Sequence, residues 1–198
     1  MPANPQVFLQ LQKKLLKGEI EKRNDVDFTR RNQFCIFAGA APCYYPLLMN
    51  VVVTKQTRTL IVRDNGREVL RIPVVLGRNP SDKVLEGDLA TPEGEFYICY
   101  KNPDSKYHRF LGLSYPNAED AARGLREGLI TKPEHDAICD ANAQQRCPPW
   151  KTALGGEVGL HGPCPNKTWT HGCIAMSVEQ IETLYECLKL GDAVTIHP

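Results

Sequence analysis

The sequence predicts a mainly β fold of the β-rich α+β class, with short helices and an N-terminal helical extension. From residue 50 onward, runs of β-branched residues are separated by turn signals. Fifteen Gly and fifteen Pro residues are scattered along the chain, which favours a turn-rich β architecture. A length of 198 residues is enough for one core with an appended segment. We therefore assign residues 1–45 to the extension and residues 46–198 to the main domain.

The extension is predicted to contain an amphipathic helix over residues 5–23. Asn4 is a suitable N-cap, and Pro5 occupies the first helical position. Apolar residues then recur at near-helical spacing, although Gly18 weakens the helix at its centre. We expect this helix to pack onto the main domain.

The main domain begins with a predicted meander of strands over residues 50–77. A tight-turn signal at residues 64–66 separates two β-branched runs, and Pro73 indicates an edge position or a bulge. Further strands are predicted over four segments: 95–102, 110–113, 157–161 and 193–196.

Three short helices are predicted from capping patterns. Asn117 caps an acidic first turn, and Thr131 with Glu134 forms a capping box for residues 132–144. Ser177 with Gln180 repeats the box before a segment with a clear apolar face.

Overall charge and hydropathy exclude several classes of partner. The net charge is +1, which favours neither nucleic acid nor an acidic membrane surface. The longest uncharged run, residues 33–54, contains two prolines and is interpreted as a loop and first strand rather than a membrane span. Residues 1–30 are polar and amphipathic, unlike a secretory leader, so export would require a removed leader or another route. The oligomeric state is not indicated.

Eight cysteines are many for a cytosolic enzyme of this size. In an oxidising compartment, the short-range pairs Cys35/Cys43 and Cys139/Cys147 are candidate disulfides, and Cys164 is either another partner or a spectator thiol. The spacing alone does not determine the pairing.

Residues 159–176, GLHGPCPNKTWTHGCIAM, carry the chemistry. Cys173 directly follows His171 and Gly172, and a second His-Gly pair, His161-Gly162, lies upstream. A thiol becomes a nucleophile at neutral pH as the thiolate, and a nearby imidazole is the usual means. Glycine lets the backbone approach a substrate, and consecutive N–H groups can form an oxyanion hole. The segment therefore predicts an acyl-transfer site.

This segment resembles the signature of the L,D-transpeptidase (YkuD-type) catalytic domain family, in which a His-Gly pair precedes a Ser/Thr-His-Gly-Cys sequence. The resemblance extends from about residue 50 to the C-terminus. It implies a twisted β-sandwich, with Cys173 as nucleophile and His161 as general base. It also implies that the backbone carbonyl of Gly162 holds the Nδ1 proton of that histidine, while Gly172 belongs to the catalytic loop.

The resemblance suggests further site residues. His171 is expected to position the substrate or the loop backbone, and Thr170 to orient the loop through its hydroxyl. Trp169 either lines the groove or anchors the core. Tyr107 and Arg109, together with Arg78, are candidates for binding substrate carboxylates.

Two features depart from the family pattern. The spacer between His161 and Thr170 has only eight residues, so the loop over the site should be reduced. Ala175 stands where relatives often have Asn or Arg, which leaves open how a substrate carboxylate is bound.

The resemblance implies an enzyme of the periplasm or cell envelope that acts on peptidoglycan tetrapeptide stems without a cofactor. Cys173 would form a thioester, and an amine from a second stem would complete a 3→3 cross-link. With water as acceptor, the same site would be an L,D-carboxypeptidase or another peptidoglycan hydrolase, including one exported as an effector.

A non-enzymatic alternative is a zinc-binding or wall-binding module. His161, Cys164, His171 and Cys173 are close in sequence and are ligand types that zinc accepts. Their spacings are not those of common zinc modules, and a metal on Cys173 would quench its nucleophilicity. We therefore expect no metal.

Overall fold

A computed structural model describes residues 49–163 and 168–198. The predicted N-terminal helix, the boundary between residues 45 and 46, the Cys35/Cys43 pair and Cys164 lie outside these ranges. The following description concerns the described residues alone.

Eight strands form one sheet in the order β3-β2-β1-β8-β4-β5-β6-β7. Their bounds in chain order are β1 Met49–Thr54, β2 Thr59–Asp64, β3 Arg67–Pro73, β4 Gly94–Ser105, β5 His108–Leu113, β6 Gly159–His161, β7 Ile174–Ala175 and β8 Ala193–His197. The predicted β-rich fold is thereby confirmed. Pro73, which cannot donate to a ladder, ends β3 at the edge of the sheet, as predicted.

The long strand β4 connects the two halves of the sheet. Its first residues pair with β8, and its later residues pair with β5. Beyond β3, Val75 exchanges two hydrogen bonds of 2.8 Å with Ala175 of β7, at the other end of the strand order. These bonds join the two ends, so the sheet curls around its core.

The described residues contain three helices, α1 Ala118–Arg126, α2 Lys132–Ala143 and α3 Val178–Cys187. Each begins at its predicted N-cap, Asn117, Thr131 or Ser177, because the cap side chain accepts N–H groups that have no partner in the first turn. All three caps form capping boxes, which the sequence predicted only for Thr131 and Ser177. No helix of the described residues has the length and apolar character needed to cross a membrane.

The core contains apolar side chains from both halves of the sheet and from α3. Its large, fully buried members include Leu60, Ile72, Ile98, Leu111, Leu160, Ile174, Ile181 and Leu184. Helices α1 and α2 pack separately around Ala121, Ile130, Ile138 and Leu154. Leu154 belongs to the segment that leads into β6, so this second cluster anchors the chain before β6.

Replacing Leu60 by Ala should lower the free energy of unfolding by about 2–5 kcal/mol, because the side chain is completely buried and its loss leaves a cavity. The matched change Leu190→Ala removes a side chain that is 62% exposed, and should cost less than about 0.5 kcal/mol. Denaturant unfolding of both variants measures the difference; equal costs would contradict the assignment of the core.

Candidate active site

Two short parallel strands bring the predicted nucleophile and base together. Leu160 of β6 pairs with Ile174 of β7, and His161 pairs with Ala175. Extending this register by one residue sets Cys173 opposite Gly159. Side chains of paired residues in parallel strands point to the same face and alternate along each strand. His161 and Cys173 therefore share one face, two positions apart along the strands.

His161 is held as a neutral imidazole. Its side chain is buried, and its Nδ1 lies 2.9 Å from the carbonyl oxygen of Gly162. A carbonyl can only accept, so we assign the proton to Nδ1 and leave Nε2 as the acceptor. Burial lowers the pKa of His161 below its ordinary value of 6.5, opposed by the hydrogen bond to Gly162. The predicted contact between His161 and Gly162 is thus present.

Cys173 is half-buried and makes a contact that the sequence does not suggest. Its Sγ donates to the carbonyl oxygen of Glu157 at 3.5 Å. Burial raises the pKa of the thiol to about 11, while the Gly159 N–H and the charge of Lys83 act in the opposite direction. The resting thiol is therefore protonated at neutral pH. Desolvation thus opposes the thiolate form that, from the sequence, a histidine is expected to stabilise.

Thr170 organises the loop before the nucleophile. Its Oγ1 accepts the N–H of Gly172 at 3.1 Å and donates to the carbonyl oxygen of Cys173 at 2.5 Å. Its own backbone is anchored to the segment after β3, through the carbonyl of Leu76 and the N–H of Arg78. These contacts are those expected of a loop-orienting hydroxyl.

Gly172 occupies a position that requires glycine. Its φ is +135°, and a Cβ would lie 2.6 Å from the carbonyl oxygen of Ala90. Both the left-handed backbone and the close approach exclude a side chain. The carbonyl of Ala90 thus lies directly against the loop that leads to Cys173.

Trp169 and His171 form a stacked pair at the front of the loop. Their rings lie 5.2 Å apart and are inclined by 10°. The guanidinium of Arg78 lies over the indole at 5.7 Å, a cation–π contact. His171 is exposed and Trp169 half-buried, so this cluster of Arg78, Trp169 and His171 presents a basic, aromatic surface beside Cys173.

The two predicted carboxylate-binding residues on β5 and its preceding turn have different surroundings. Tyr107 stacks on His161 at 4.6 Å, and its carbonyl oxygen accepts the N–H of Gly162 at 3.1 Å. Arg109 instead donates to the carbonyl of Pro103 at 2.6 Å and lies over the ring of Tyr185 in α3. Tyr107 thus supports the base directly, whereas the described contacts of Arg109 connect β5 to α3.

An open cavity of about 330 Å³ lies beside Glu157, whose carbonyl oxygen accepts the hydrogen bond from the Cys173 thiol. It is lined by Glu157 and the segment Cys147, Pro148, Pro149, Trp150 and Lys151. Glu157 has a φ of +53°, uncommon for a residue with a side chain. Sequence reasoning missed Glu157, because its contribution is a backbone carbonyl and no motif marks it. The signal available was its place between Gly156 and the strand that carries His161.

The structure does not join the candidate disulfide pair Cys139/Cys147. Both are free thiols, and the sulfur of Cys147 lies 3.2 Å from that of Cys99 instead. Among the described residues, no three potential metal-ligating side chains converge. The complete set proposed for zinc includes Cys164, outside the described ranges, so this alternative stays untested.

The sequence model of the YkuD family, described as the L,D-transpeptidase catalytic domain, matches residues 49–196. This is most of the chain and includes the three described helices and all eight strands except the last residue of β8, His197. The chain belongs to the L,D-transpeptidase catalytic domain family.

Comparison with solved structures finds matches over about three quarters of this chain. The helical cell shape determining protein Pgp2 from Campylobacter jejuni is 22% identical, with a TM-score of 0.52 over 76% of this chain and 46% of that one. An L,D-transpeptidase from Mycobacterium smegmatis is 15% identical, with a TM-score of 0.47 over 77% of this chain and 59% of that one. The chain thus spans about half the length of these relatives. Comparison with curated proteins found no match.

Replacing Thr170 by Val should destabilise the catalytic loop, because an isosteric methyl leaves the Gly172 N–H and the Cys173 carbonyl without their partner. We expect a loss of about 1–3 kcal/mol in unfolding free energy. Denaturant unfolding tests this value.

The exposed residue Thr57, in the turn between β1 and β2, provides the matched control. Thr57→Val should leave stability within about 0.5 kcal/mol of the parent. Equal stabilities of the two valine variants would contradict a structural role for the Thr170 hydroxyl.

Proposed function

We propose that this protein is a cysteine-dependent acyltransferase of peptidoglycan stem peptides in the periplasm or cell envelope, an L,D-transpeptidase that forms 3→3 cross-links. One observation carries the proposal. His161, with its Nδ1 proton held by Gly162, shares a strand face with Cys173. This leaves Nε2 as the ring atom that can accept the thiol proton.

Acylation begins with transfer of the thiol proton to Nε2 of His161. The sulfur of Cys173 attacks the carbonyl carbon of the residue that precedes a terminal D-alanine. The attacked carbonyl belongs to an L-centre, and by analogy with the family this residue is meso-diaminopimelate. Collapse of the tetrahedral intermediate breaks the C–N bond, and the imidazolium returns the proton to the departing amine. The product is a thioester on Cys173 and free D-alanine.

Deacylation reverses these roles. An amine from a second stem loses a proton to His161, attacks the thioester carbonyl and forms the new amide, which releases the Cys173 sulfur. The imidazolium of His161 returns the proton to this sulfur. With water as acceptor, the same steps would give an L,D-carboxypeptidase or a peptidoglycan hydrolase. The catalytic residues are identical in both cases, so the acceptor distinguishes them.

Stabilisation of the oxyanion is assigned to backbone N–H groups of the nucleophile loop. The Gly172 N–H is already bound to Thr170. The N–H groups of His171 and Cys173 are therefore our candidates for the hole. Thr170 contributes by fixing the orientation of the peptide units between them.

The stem peptide carries carboxylates that a cation beside the nucleophile would bind. The cluster of Arg78, Trp169 and His171 is such a surface. Arg109 is the weaker candidate, since its guanidinium contacts Pro103 and Tyr185. This assignment does not need a polar side chain at position 175, where Ala175 is fully buried in β7.

Incubation with a tetrapeptide stem should yield a mass adduct on Cys173 equal to the tripeptide acyl group, together with D-alanine and cross-linked dimer. Cys173→Ala should abolish all three products, because the thioester is proposed to form on this sulfur. Mass spectrometry and muropeptide analysis measure these outcomes.

Cys139→Ala is the matched control, since this thiol lies on α2 and is expected to leave turnover unchanged. Tripeptide without dimer would identify the hydrolytic alternative. An adduct on another cysteine would overturn the assignment of the nucleophile.

The rate of D-alanine release should decrease at acid pH in one step below pH 6.5, because His161 must be neutral to accept the thiol proton and burial lowers its pKa. Burial disfavours the charged imidazolium, so the active neutral form persists to lower pH than in an unperturbed histidine. The measurement is kcat/KM between about pH 5 and 8.

His161→Gln should remove this step and lower kcat/KM by about 10²–10⁴-fold. The exposed imidazole of His108, which pairs with Glu182, supplies the control His108→Gln. An unchanged acid step in His161→Gln would assign the titration to another group.

A further inference from the structure

Two cysteines outside the proposed catalytic residues lie in contact. The sulfur of Cys99, on β4, donates to the sulfur of Cys147 at 3.2 Å. Cys99 is half-buried and Cys147 is exposed. Of the other described cysteines, Cys139 contacts His135 at 3.7 Å, and Cys187 ends α3. The contact joins positions separated by 48 residues, and sequence spacing would not select it.

The backbone on both sides holds these sulfurs together. Cys99 is the extra residue of a β-bulge, since the register against β5 shifts between Ile98 and Tyr100. A bulge redirects the side chain of its extra residue away from the regular ladder. Close to Cys147, the hydroxyl of Tyr97 donates to the carbonyl of Arg146 at 2.8 Å. This bond fixes the chain directly before Cys147 against β4 without help from either sulfur.

We propose that Cys99 and Cys147 are a disulfide-forming pair that fastens the wall of the cavity next to Glu157 to the sheet. Cys147 begins the segment of Pro148, Pro149, Trp150 and Lys151 that lines this cavity. The ring of Trp150 packs edge-on against Tyr100 of β4 at 5.8 Å. The disulfide would thus form at the start of a segment that already packs against β4.

The oxidant is a small-molecule or protein disulfide. The Cys147 thiolate attacks one sulfur of that disulfide and releases the first thiol product. The Cys99 thiolate then attacks the Cys147 sulfur of the mixed disulfide and releases the second. Two electrons and two protons pass from the cysteines to the oxidant, which is reduced to two thiols. Exposure and the hydrogen bond from Cys99, which lowers the pKa of Cys147, make Cys147 the attacking thiol.

Bond formation needs only a small movement. A disulfide has an S–S separation of about 2.0 Å, so the sulfurs must approach by about 1.2 Å. Cys147 lies in an exposed segment after α2, and its backbone is free of strand pairing. Rotation of its side chain can supply this movement while β4 keeps its register.

The test uses the full chain incubated with oxidised glutathione, followed by digestion without reductant and mass spectrometry of linked peptides. We expect the peptides of Cys99 and Cys147 to be joined in the parent and in Cys139→Ser, and not in Cys99→Ser. Formation of the bond should raise the midpoint of thermal unfolding by about 5–10 °C in the parent. Reduction with dithiothreitol should reverse the increase.

A bond from Cys147 to any cysteine other than Cys99 would overturn the proposal. So would recovery of both residues as separate glutathione adducts or free thiols. Peptide mapping of the parent does not depend on how the variants fold. It also requires no catalytic turnover, so its outcome is independent of the function proposed for Cys173.

Discussion

The parallel pairing of β6 with β7 is the constraint on which the site depends. The two strands have only three and two residues, so their own hydrogen bonds are few. β5 supports β6 on one side, and Val75 holds β7 on the other. The pair lies at the closure of the curled sheet, where His161 and Cys173 are held by elements distant in sequence. This explains how such short strands maintain a fixed register.

Around this pair, backbone groups define the geometry as much as side chains do. The carbonyls of Gly162 and Glu157 accept from the imidazole and the thiol, and the carbonyl of Ala90 leaves room for glycine alone at position 172. Thr170 is the one hydroxyl in this arrangement that binds the loop at two points. Such contacts place groups without adding charge, which matters in a partly desolvated site.

Burial favours the uncharged forms of both His161 and Cys173. It lowers the pKa of His161 and raises that of Cys173, so an ion pair is disfavoured before a substrate arrives. A protonated thiol is also a poor target for oxidants. Cys147 has the opposite character, exposed and with a lowered pKa. The thiol proposed for acyl transfer is thus the less accessible of the two, and the thiol proposed for disulfide exchange is the more accessible.

The sequence by itself determined the local features: the N-caps at Asn117, Thr131 and Ser177, the edge position of Pro73, and the motif around Cys173. Each depends on residues within a few positions of one another. Only the tertiary structure decided that Cys147 meets Cys99 rather than Cys139, that the carbonyl of Glu157 accepts a hydrogen bond from the Cys173 thiol, and that Arg78 lies over the ring of Trp169. These contacts form where the curled sheet brings distant backbone segments together, and no local spacing encodes them.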